Sequence, residues 1–306
     1  MARRATKRFK RWLVFQLGQG VGVLLGWLPL PWALAIGAAL GRLAAHLRPG
    51  DRRRAIEQLQ TALDLQPQDA RQLANRCFAH LGRIAAEIVL LPKLGRRLKT
   101  YVTLPDPDRA VLQAAMAEGK GVLFVTGHLG NWELLAQRVV AEGLPAATLA
   151  RGAPNPYLGA WLLERRRRGG VETINRGDPK AARQLLGILK RGGVLGILID
   201  QDTQVESVHV PFFGRPAATP VAAAQLARSR KAPVVVGHIH RQGPQHRVTL
   251  ERVDLPPDDG SAAWLVTVTA LLTARLEAAI RAHPEEWPWL HARWRTPVAP
   301  ASPPGE

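Results

Sequence analysis

The stretch "VLFVTGHLGNWELL", residues 122–135, decides the fold class. Its first five residues are apolar or β-branched, which is typical of a short buried strand. Gly127 and Gly130 then indicate a turn, and Asn131 is a favoured N-cap for a helix that begins with "WELL". A strand, a turn and a helix in succession form the repeating unit of α/β proteins. Ligands of open α/β sheets bind beyond the carboxyl ends of the strands, so His128 lies where a ligand is expected.

The remainder of the chain alternates between strand-like and helical patterns. Short apolar runs bounded by turn residues predict further strands at 146–150, 171–174, 194–199, 233–240 and 246–253. Helical periodicity is present at 52–65, 67–91, 155–168, 179–193, 219–232 and 261–283. In the helix predicted at 219–232, Thr219 is the expected N-cap and Pro220 the first helical residue. We therefore expect an α/β fold with a central, mostly parallel sheet flanked by helices.

The N-terminal part, residues 1–50, has a different composition. "MARRATKRFKR" carries six basic residues and no acid, and no charged residue occurs from Trp12 to Gly41. Pro29 and Pro31 divide this apolar run into two segments. We interpret it as an uncleaved membrane anchor, either a span or an in-plane helical hairpin, with the basic end in the cytoplasm. A signal peptide and a buried helical pair of a soluble protein are the alternatives.

Charge and composition limit the classes of partner. The chain has 306 residues, a net charge of +18 and 46% hydrophobic residues, which is too many for a disordered protein. The positive charge favours nucleic acid or an acidic membrane surface as the partner. A nucleic-acid-binding arm would not continue into thirty uncharged residues, so the membrane is preferred. The single cysteine, Cys77, excludes a disulfide framework and a multi-cysteine metal site, and its helical context predicts a core position.

His128 and Glu133 are the first candidates for chemistry. In a continuous helix, residues five apart point about 140° away from each other. They can face each other only if a turn intervenes, which Gly127 and Gly130 permit. A carboxylate beside an imidazole orients it as a general base toward a hydroxyl, and the N-terminus of the helix would supply donors to an oxyanion. The alternative is a helix cap next to a solvent-facing histidine.

Several motifs together resemble one family. "GHLGNWE" is similar to the His-x4-acid signature of glycerolipid-type acyltransferases, in the glutamate form of the bacterial lipid A late acyltransferases. "LIDQDTQVESVHVPFFGRPAATP", "PEEWPWLHARWRT", "RRRAIEQL" and "ARGAPNP" also resemble that family. The resemblance covers roughly residues 50–297, which identifies 51–297 as the catalytic domain. The Pro-rich segment 298–306 is predicted to be a disordered tail.

The resemblance implies an acyltransferase of the bacterial inner membrane, with its catalytic domain on the cytoplasmic face. The donor would be an acyl carrier protein thioester or acyl-CoA, and the acceptor a hydroxyl of a lipid A precursor or a related anionic lipid. His128 would remove the hydroxyl proton and Glu133 would hold His128 in the required tautomer. No cofactor, metal or nucleic acid is implied.

The same resemblance suggests substrate-binding residues. Arg166 is the best match to a functional arginine of the family, with Arg168 second, and a solvated basic face is the alternative for both. Arg151 follows a strand directly and is a further candidate for binding a phosphate. Asp200 follows the strand at 194–199 and is expected to join the site or to organise its arginines, a turn cap being the alternative.

Other readings remain open from the sequence. Asp200 and Asp202 have the Asp-x-Asp form of a metal-dependent glycosyltransferase, and the charge also fits a non-enzymatic module that binds anionic lipid or nucleic acid. His238 and His240 share one face of a strand and are a possible metal-ligand pair without an evident third ligand. The tryptophans near the C-terminus are expected to pack onto the domain, with contact to lipid as the alternative; they are Trp287, Trp289 and Trp294.

Overall fold

The computed structural model describes residues 2–298, so all of the predicted tail at 298–306 except Val298 lies outside the described residues. The helices are α1 (Ala2–Trp27), α2 (Leu30–Leu47), α3 (Pro49–Leu63), α4 (Pro67–Leu94), α5 (Leu98–Tyr101), α6 (Asp106–Ala117), α7 (Trp132–Val140), α8 (Pro156–Arg168), α9 (Ala181–Lys190), α10 (Ala222–Arg230) and α11 (Ala262–Ala282). The strands are β1 (Val102–Thr103), β2 (Val122–Thr126), β3 (Ala146–Ala150), β4 (Val171–Asn175), β5 (Val194–Leu198), β6 (Ser207–Phe212), β7 (Arg215–Pro220), β8 (Val234–Gln242) and β9 (Gln245–Val253).

Seven strands form the central sheet in the order β1-β9-β8-β2-β5-β3-β4. The pairs β2–β5, β2–β8, β3–β5, β3–β4 and β1–β9 are parallel, whereas β8 and β9 form an antiparallel hairpin. The predicted α/β fold with a mostly parallel sheet is confirmed. The exact boundaries of the domains remain a prediction.

Strand β2 lies in the middle of the sheet, and all five of its residues are buried. Its side chains alternate between two cores, as the two-residue period of a strand requires. Phe124 packs into a cluster with Leu134 of α7. Leu123 and Val125 pack on the opposite face, in the cluster that contains Val268 of α11. Both faces of the sheet are therefore covered, and the turn after β2 is held at its carboxyl edge.

Strands β6 and β7 form a separate antiparallel hairpin, which the sequence analysis did not predict. The helix expected from Thr219 begins instead at Ala222, so this boundary was wrong. The Thr219 hydroxyl donates to the carbonyl of Ala217 and accepts from Arg293. It is engaged in tertiary contacts and does not serve as an N-cap, and Pro220 pairs opposite Ser207 at the end of β7.

The apolar N-terminal run forms two helices, α1 and α2, which separate at Leu28 and Pro29 as the two prolines predicted. Helix α2 is long and apolar enough to cross a membrane, and α11 passes the same test. Because α11 packs on the sheet with Val268 and Leu272 completely buried, its apolar character is explained by the core. Helix α2 buries one face, with Ala33 and Ala45 in the core clusters, and leaves Trp32, Leu43 and Leu47 exposed.

Glycines allow α2 to lie directly against α4. A Cβ atom on Gly82 would lie 2.0 Å from the carbonyl oxygen of Gly37, and one on Gly41 would lie 2.0 Å from that of Phe78. Neither distance is compatible with a side chain, so the two backbones touch at this crossing. The close contact fixes the N-terminal helices to the α/β domain through α4.

We expect Gly82→Ala to destabilise the protein by about 1–3 kcal/mol, because the added methyl group must force the two helices apart. The measurement is the thermal unfolding midpoint of the detergent-solubilised protein. Gly20→Ala is the matched control, since no atom lies within 4 Å of a Cβ at that helical position. An unfolding midpoint for Gly82→Ala equal to that of the control would contradict the packing argument.

Candidate active site

The carboxyl ends of two neighbouring strands bring His128 and Asp200 together. Thr126 ends β2 and Leu198 ends β5, and these two residues are paired in the parallel ladder. His128 and Asp200 each follow two residues later, so they lie side by side although 72 residues separate them. The distance from His128 Nδ1 to Asp200 Oδ1 is 2.8 Å. This is the edge of the sheet at which a ligand was expected from the sequence.

The Asp200 carboxylate accepts three hydrogen bonds and is 1% exposed. Besides the imidazole, the backbone N–H of His128 and the indole Nε1–H of Trp287 each donate to Oδ2 at 2.7 Å. Burial acts to raise the pKa of Asp200, but the adjacent His128 and these donors outweigh it and lower the pKa to about 2. The group is therefore a carboxylate at neutral pH, and it holds Nδ1 of His128 as the protonated nitrogen.

Gly127 and Gly130 are required for this geometry. A Cβ on Gly127 would lie 2.9 Å from the carboxyl carbon of Asp200, so a side chain would displace the carboxylate from the histidine. Gly130 has a φ of +62°, and a Cβ there would lie 1.9 Å from the carbonyl oxygen of Ile239. The turn expected after β2 is thus present, and it brings the backbone into close contact with Asp200 and with Ile239.

The contact expected between His128 and Glu133 is replaced by a different pair. Both oxygens of Glu133 accept hydrogen bonds from Arg166, from Nε at 2.8 Å and from Nη2 at 2.5 Å. Glu133 lies in the first turn of α7 and is directed at α8, whereas the His128 ring belongs to the preceding turn and is held by Asp200. The predicted contact of Glu133 with His128 is therefore wrong, and Asp200 is the carboxylate that binds the imidazole. The participation of Glu133 in catalysis remains a prediction.

The four arginines at the end of α8 have different environments. Arg166 lines the cavity described below and its side chain is 12% exposed in the pair with Glu133. Arg167 and Arg168 both pair with Glu164 on the outer side of the helix. Arg168 does not line the cavity, which matches the solvated alternative from the sequence.

A cavity of about 600 Å³ opens next to His128. Polar residues line one end of it; they include His128, Glu133, Arg151, Arg166, Arg176, Thr203 and His291. Apolar residues line the other end; they include Phe124, Leu135, Val139, Ala146, Val171 and Val194. The apolar residues of β3, β4 and β5 lie at the amino ends of their strands, one strand length from His128. The cavity thus runs along the sheet from a charged end to an apolar end.

Two arginines lie together at the charged end. Arg151 directly follows β3 and Arg176 directly follows β4, which are neighbouring parallel strands. The Arg176 backbone N–H donates to the carbonyl of Ala150. Partial burial and the proximity of Arg151 lower the pKa of Arg176. Arg176 donates to the Thr203 hydroxyl at 3.4 Å, and no acidic partner of either arginine is found within residues 2–298. Such a pair is suited to binding an anion.

Asp202 is occupied by the C-terminal segment. Its Oδ2 accepts from the backbone N–H of Thr296 at 2.7 Å, and its Oδ1 accepts from the Thr296 hydroxyl at 2.9 Å and from Arg295 at 3.3 Å. Asp200 is equally committed to His128 and Trp287. The Asp-x-Asp pair therefore presents no carboxylate that is free of protein donors, which disfavours the glycosyltransferase alternative.

The C-terminal segment, residues 283–296, makes contacts at the candidate site that the sequence did not predict. Trp287 and Trp289 are 0% exposed, which confirms that they pack onto the domain. The contact between Trp287 and Asp200 was not predicted, nor was the position of His291 in the cavity wall. Burial lowers the pKa of His291, and its buried Nε2 has no hydrogen-bond partner in the part of the chain that the structure describes. The signal for both was the motif "PEEWPWLHARWRT", whose spatial partners cannot be read from spacing.

A second buried carboxylate, that of Glu87, contacts the N-cap residue of α7. Asn131 caps α7 through Oδ1, which accepts from the N–H groups of Glu133 and Leu134 at 3.2 Å. Its Nδ2 donates to Glu87 of α4 at 2.8 Å. Glu87 is 0% exposed and is also bound by Arg241. The start of α7 is therefore fixed from the side opposite to Asp200.

The chain is similar to acyltransferases of known families. The model of the bacterial lipid A biosynthesis acyltransferase family matches residues 2–296. A phosphatidylinositol mannoside acyltransferase of Mycobacterium tuberculosis is 26% identical over 220 residues, which cover 70% of this chain and 67% of the relative. The lipid A biosynthesis lauroyltransferase of Escherichia coli is 28% identical over 301 residues, covering 93% of this chain and 92% of the relative. The lipid A biosynthesis palmitoleoyltransferase of the same organism is 28% identical over 301 residues, covering 92% of each chain. The chain therefore belongs to the bacterial lipid A biosynthesis acyltransferase family and is an acyltransferase.

Proposed function

We propose that this acyltransferase moves a fatty acyl group from an acyl carrier protein thioester to a hydroxyl of a phosphorylated glycolipid, with acyl-CoA as the second candidate donor. The observation that carries the proposal is the His128–Asp200 pair at the charged end of a cavity whose other end is apolar. The relatives named above act on lipid A or on phosphatidylinositol mannoside. Both acceptors combine sugar hydroxyls, phosphate and acyl chains, and this shared chemistry defines the substrate class.

His128 acts as the general base in this proposal. Because Nδ1–H is bound by Asp200, Nε2 carries the lone pair that takes the proton of the acceptor hydroxyl. The hydroxyl oxygen attacks the thioester carbonyl, a C–O bond forms, and the C–S bond breaks. The leaving thiolate recovers the proton from the imidazolium. The buried negative charge of Asp200 stabilises the imidazolium. This series of reaction steps requires neither an acyl-enzyme nor a cofactor.

Arg166 is proposed to stabilise the developing oxyanion. Nε and Nη2 are held by Glu133, and Nη1 has no partner among the described residues. A bidentate pair fixes the guanidinium plane, so the remaining N–H groups are preorganised toward the cavity. Glu133 then acts as a positioning residue for Arg166, which gives the acid of the His-x4-Glu motif a role without contact to the histidine.

The apolar end of the cavity is proposed to hold the acyl chain. A five-residue strand is about 17 Å long, and the lining residues run from the carboxyl to the amino ends of β3 and β5. The volume of about 600 Å³ is within the usual range for a small-molecule site. A long hydrocarbon chain can therefore extend along the sheet while its thioester stays beside His128.

The N-terminal helices are proposed to seat the protein on the inner membrane. Among the residues whose burial the structure describes, 18 large hydrophobic residues are exposed, and 14 of them, including Trp12, Trp27 and Trp32, lie in α1 and α2. The concentration of apolar exposure in one region is typical of a membrane-contacting surface. Arg8, Lys10 and Arg11 precede it in α1 and suit the anionic cytoplasmic leaflet.

This surface adjoins the mouth of the cavity. Arg8 donates to the hydroxyl of Tyr157, and Asn155 donates to the carbonyl of Arg11, so α1 contacts the start of α8. The preceding residues, 151–154, line the cavity. An acceptor lipid can therefore reach His128 from the bilayer. The net charge of +18 would in addition steer an acidic carrier protein to the cytoplasmic face.

The central test is His128→Ala in a purified assay with acyl carrier protein thioester and a lipid A precursor. We expect at least a 100-fold lower rate of transfer with unchanged folding, because the general base is removed. The proposed transfer step uses no metal ion, so EDTA should not abolish the activity of the wild-type enzyme. Mass spectrometry of lipids from a host with and without the gene then identifies the added acyl mass and the acceptor. Transfer by the variant at near wild-type rates would exclude the catalytic assignment.

We expect Asp200→Asn to lower the rate constant for transfer by about 10³–10⁴-fold, because the amide no longer stabilises the imidazolium or selects the tautomer. Asp202→Asn is the matched control, since its carboxylate contacts Thr296 and Arg295 and does not contact His128. It should retain activity within about tenfold. Equal losses in the two variants would favour a joint role of both aspartates over the His–Asp pair.

Arg151→Gln and Arg176→Gln test the phosphate site. Each should raise the Michaelis constant for a phosphorylated acceptor by about 10–100-fold, the cost of losing a charge-assisted hydrogen bond, with little change in the turnover number. Removal of the phosphate from the acceptor should abolish the difference from wild type. Arg168→Gln is the control, because Arg168 pairs with Glu164 outside the cavity. A penalty that persists with the dephosphorylated acceptor would place the phosphate elsewhere.

A further inference from the structure

Three histidines converge on the side of β8 that faces away from Glu87. His238 and His240 lie on the same face of β8, and His283 follows the last residue of α11. The rings of His240 and His283 are stacked, with centroids 4.0 Å apart, and the His238 ring lies 5.8 Å from His240 and 6.4 Å from His283. One nitrogen from each ring lies within 4.8 Å of the other two. The structure thus supplies the third histidine that the sequence did not reveal.

At least one nitrogen of this cluster is left unused by the described part of the protein. Nδ1 of His240 is buried and has no hydrogen-bond partner within residues 2–298. A buried polar atom without a partner is rare in folded proteins and calls for an explanation. None of the three histidines lines the catalytic cavity, so the proposed acyl transfer does not explain them.

The three histidines share an environment that favours their neutral form. Burial and the mutual proximity of the rings lower the pKa of His238 and of His240 to about 4, and burial lowers the pKa of His283. A neutral imidazole binds metal through its free lone pair. The C-terminus of α11 adds a favourable partial negative charge next to His283. Arg247 pairs opposite His240 in the β8–β9 hairpin, and its positive charge disfavours the binding of a cation. An opposing charge is close by, because Asp108 Oδ2 lies 3.8 Å from Arg247 Nη2.

We infer that His238, His240 and His283 form a binding site for a transition-metal dication of the zinc class. Three histidine nitrogens are a known zinc ligand set, and the fourth position is available to water. With Zn–N bonds of about 2.1 Å in a tetrahedron, ligand nitrogens lie about 3.4 Å apart. The three nitrogens lie within 4.8 Å of one another, so binding would draw the most distant pair together by at most about 1.4 Å and would require the stacked rings to open.

The position of the site suggests a structural role. His283 begins the segment that continues to Trp287, and Trp287 donates to Asp200, the proposed positioning residue of His128. The same segment supplies the Glu286 carbonyl, which accepts from the N–H of Gly130. A metal ion that joins His283 to β8 would fasten the start of this segment to the sheet. It would stabilise the orientation of Asp200 without taking part in the chemistry.

The test is zinc binding to the untagged, chelator-treated, full-length protein in detergent, measured by titration calorimetry. We expect one Zn²⁺ per chain with a dissociation constant of about 1 µM or lower. His240→Gln and His283→Gln should each weaken binding by at least about 100-fold. His46→Ala and His209→Ala are matched controls, because these histidines lie elsewhere, on α2 and β6, and should leave binding unchanged. Circular dichroism confirms that the variants are folded.

Co²⁺ and hydrogen exchange supply independent readouts. Co²⁺ bound by the wild type should show the intense visible absorption of tetrahedral coordination, and His283→Gln should not. Zn²⁺ should slow amide exchange in residues 283–291 of the wild type and leave it unchanged in His283→Gln. Wild-type binding as weak as that of the glutamine variants, or binding lost in the two controls, would overturn the site. Tight binding without slower exchange would overturn its structural role.

Discussion

The active site depends on one buried carboxylate that is shared by three parts of the chain. Asp200 belongs to the end of β5, His128 to the turn after β2, and Trp287 to the C-terminal segment. A carboxylate at 1% exposure would be costly without donors, and the three N–H groups compensate for its lost hydration. The geometry of the histidine is therefore a consequence of folding as a whole, since it exists only when the sheet is paired and the last segment is in place.

The same principle operates on the other side of the turn. Glu87 is completely buried and accepts hydrogen bonds from Asn131 at 2.8 Å, from Tyr101 at 2.5 Å and from Arg241. Burial raises its pKa, but His246, Arg241 and Tyr101 outweigh this effect and hold the pKa well below its usual range. The turn between β2 and α7 is thus clamped between two carboxylates that remain charged. Hydrogen bonds join this turn to α4 through Glu87 and to the C-terminal segment through Asp200, so the imidazole is held in one orientation.

Six of the seven strands of the central sheet were predicted from short runs rich in apolar or β-branched residues between turn residues, whereas the two-residue strand β1 was missed. The β6–β7 hairpin was missed because Thr219 and Pro220 form a strong local helix signal, and the tertiary contact of Thr219 with Arg293 outweighs it. The position of His128 at the carboxyl edge of the sheet was predictable. Its carboxylate partner was not, because Asp200 becomes a neighbour only through the β2–β5 pairing, whereas Glu133 is close in sequence. Local spacing cannot distinguish these two partners.

The two separate ion pairs explain why the site contains both acids. If Glu133 also faced His128, two carboxylates would surround one imidazole and leave Arg166 without a counter-charge next to the cavity. In the observed arrangement, each side chain has its own carboxylate: Asp200 binds His128, and Glu133 binds Arg166. The general base and the proposed oxyanion donor can then be positioned independently, from β5 in one case and from α7 in the other. In the proposed mechanism, the five-residue spacing from His128 to Glu133 would set the distance between the proton acceptor and Arg166, the proposed oxyanion donor.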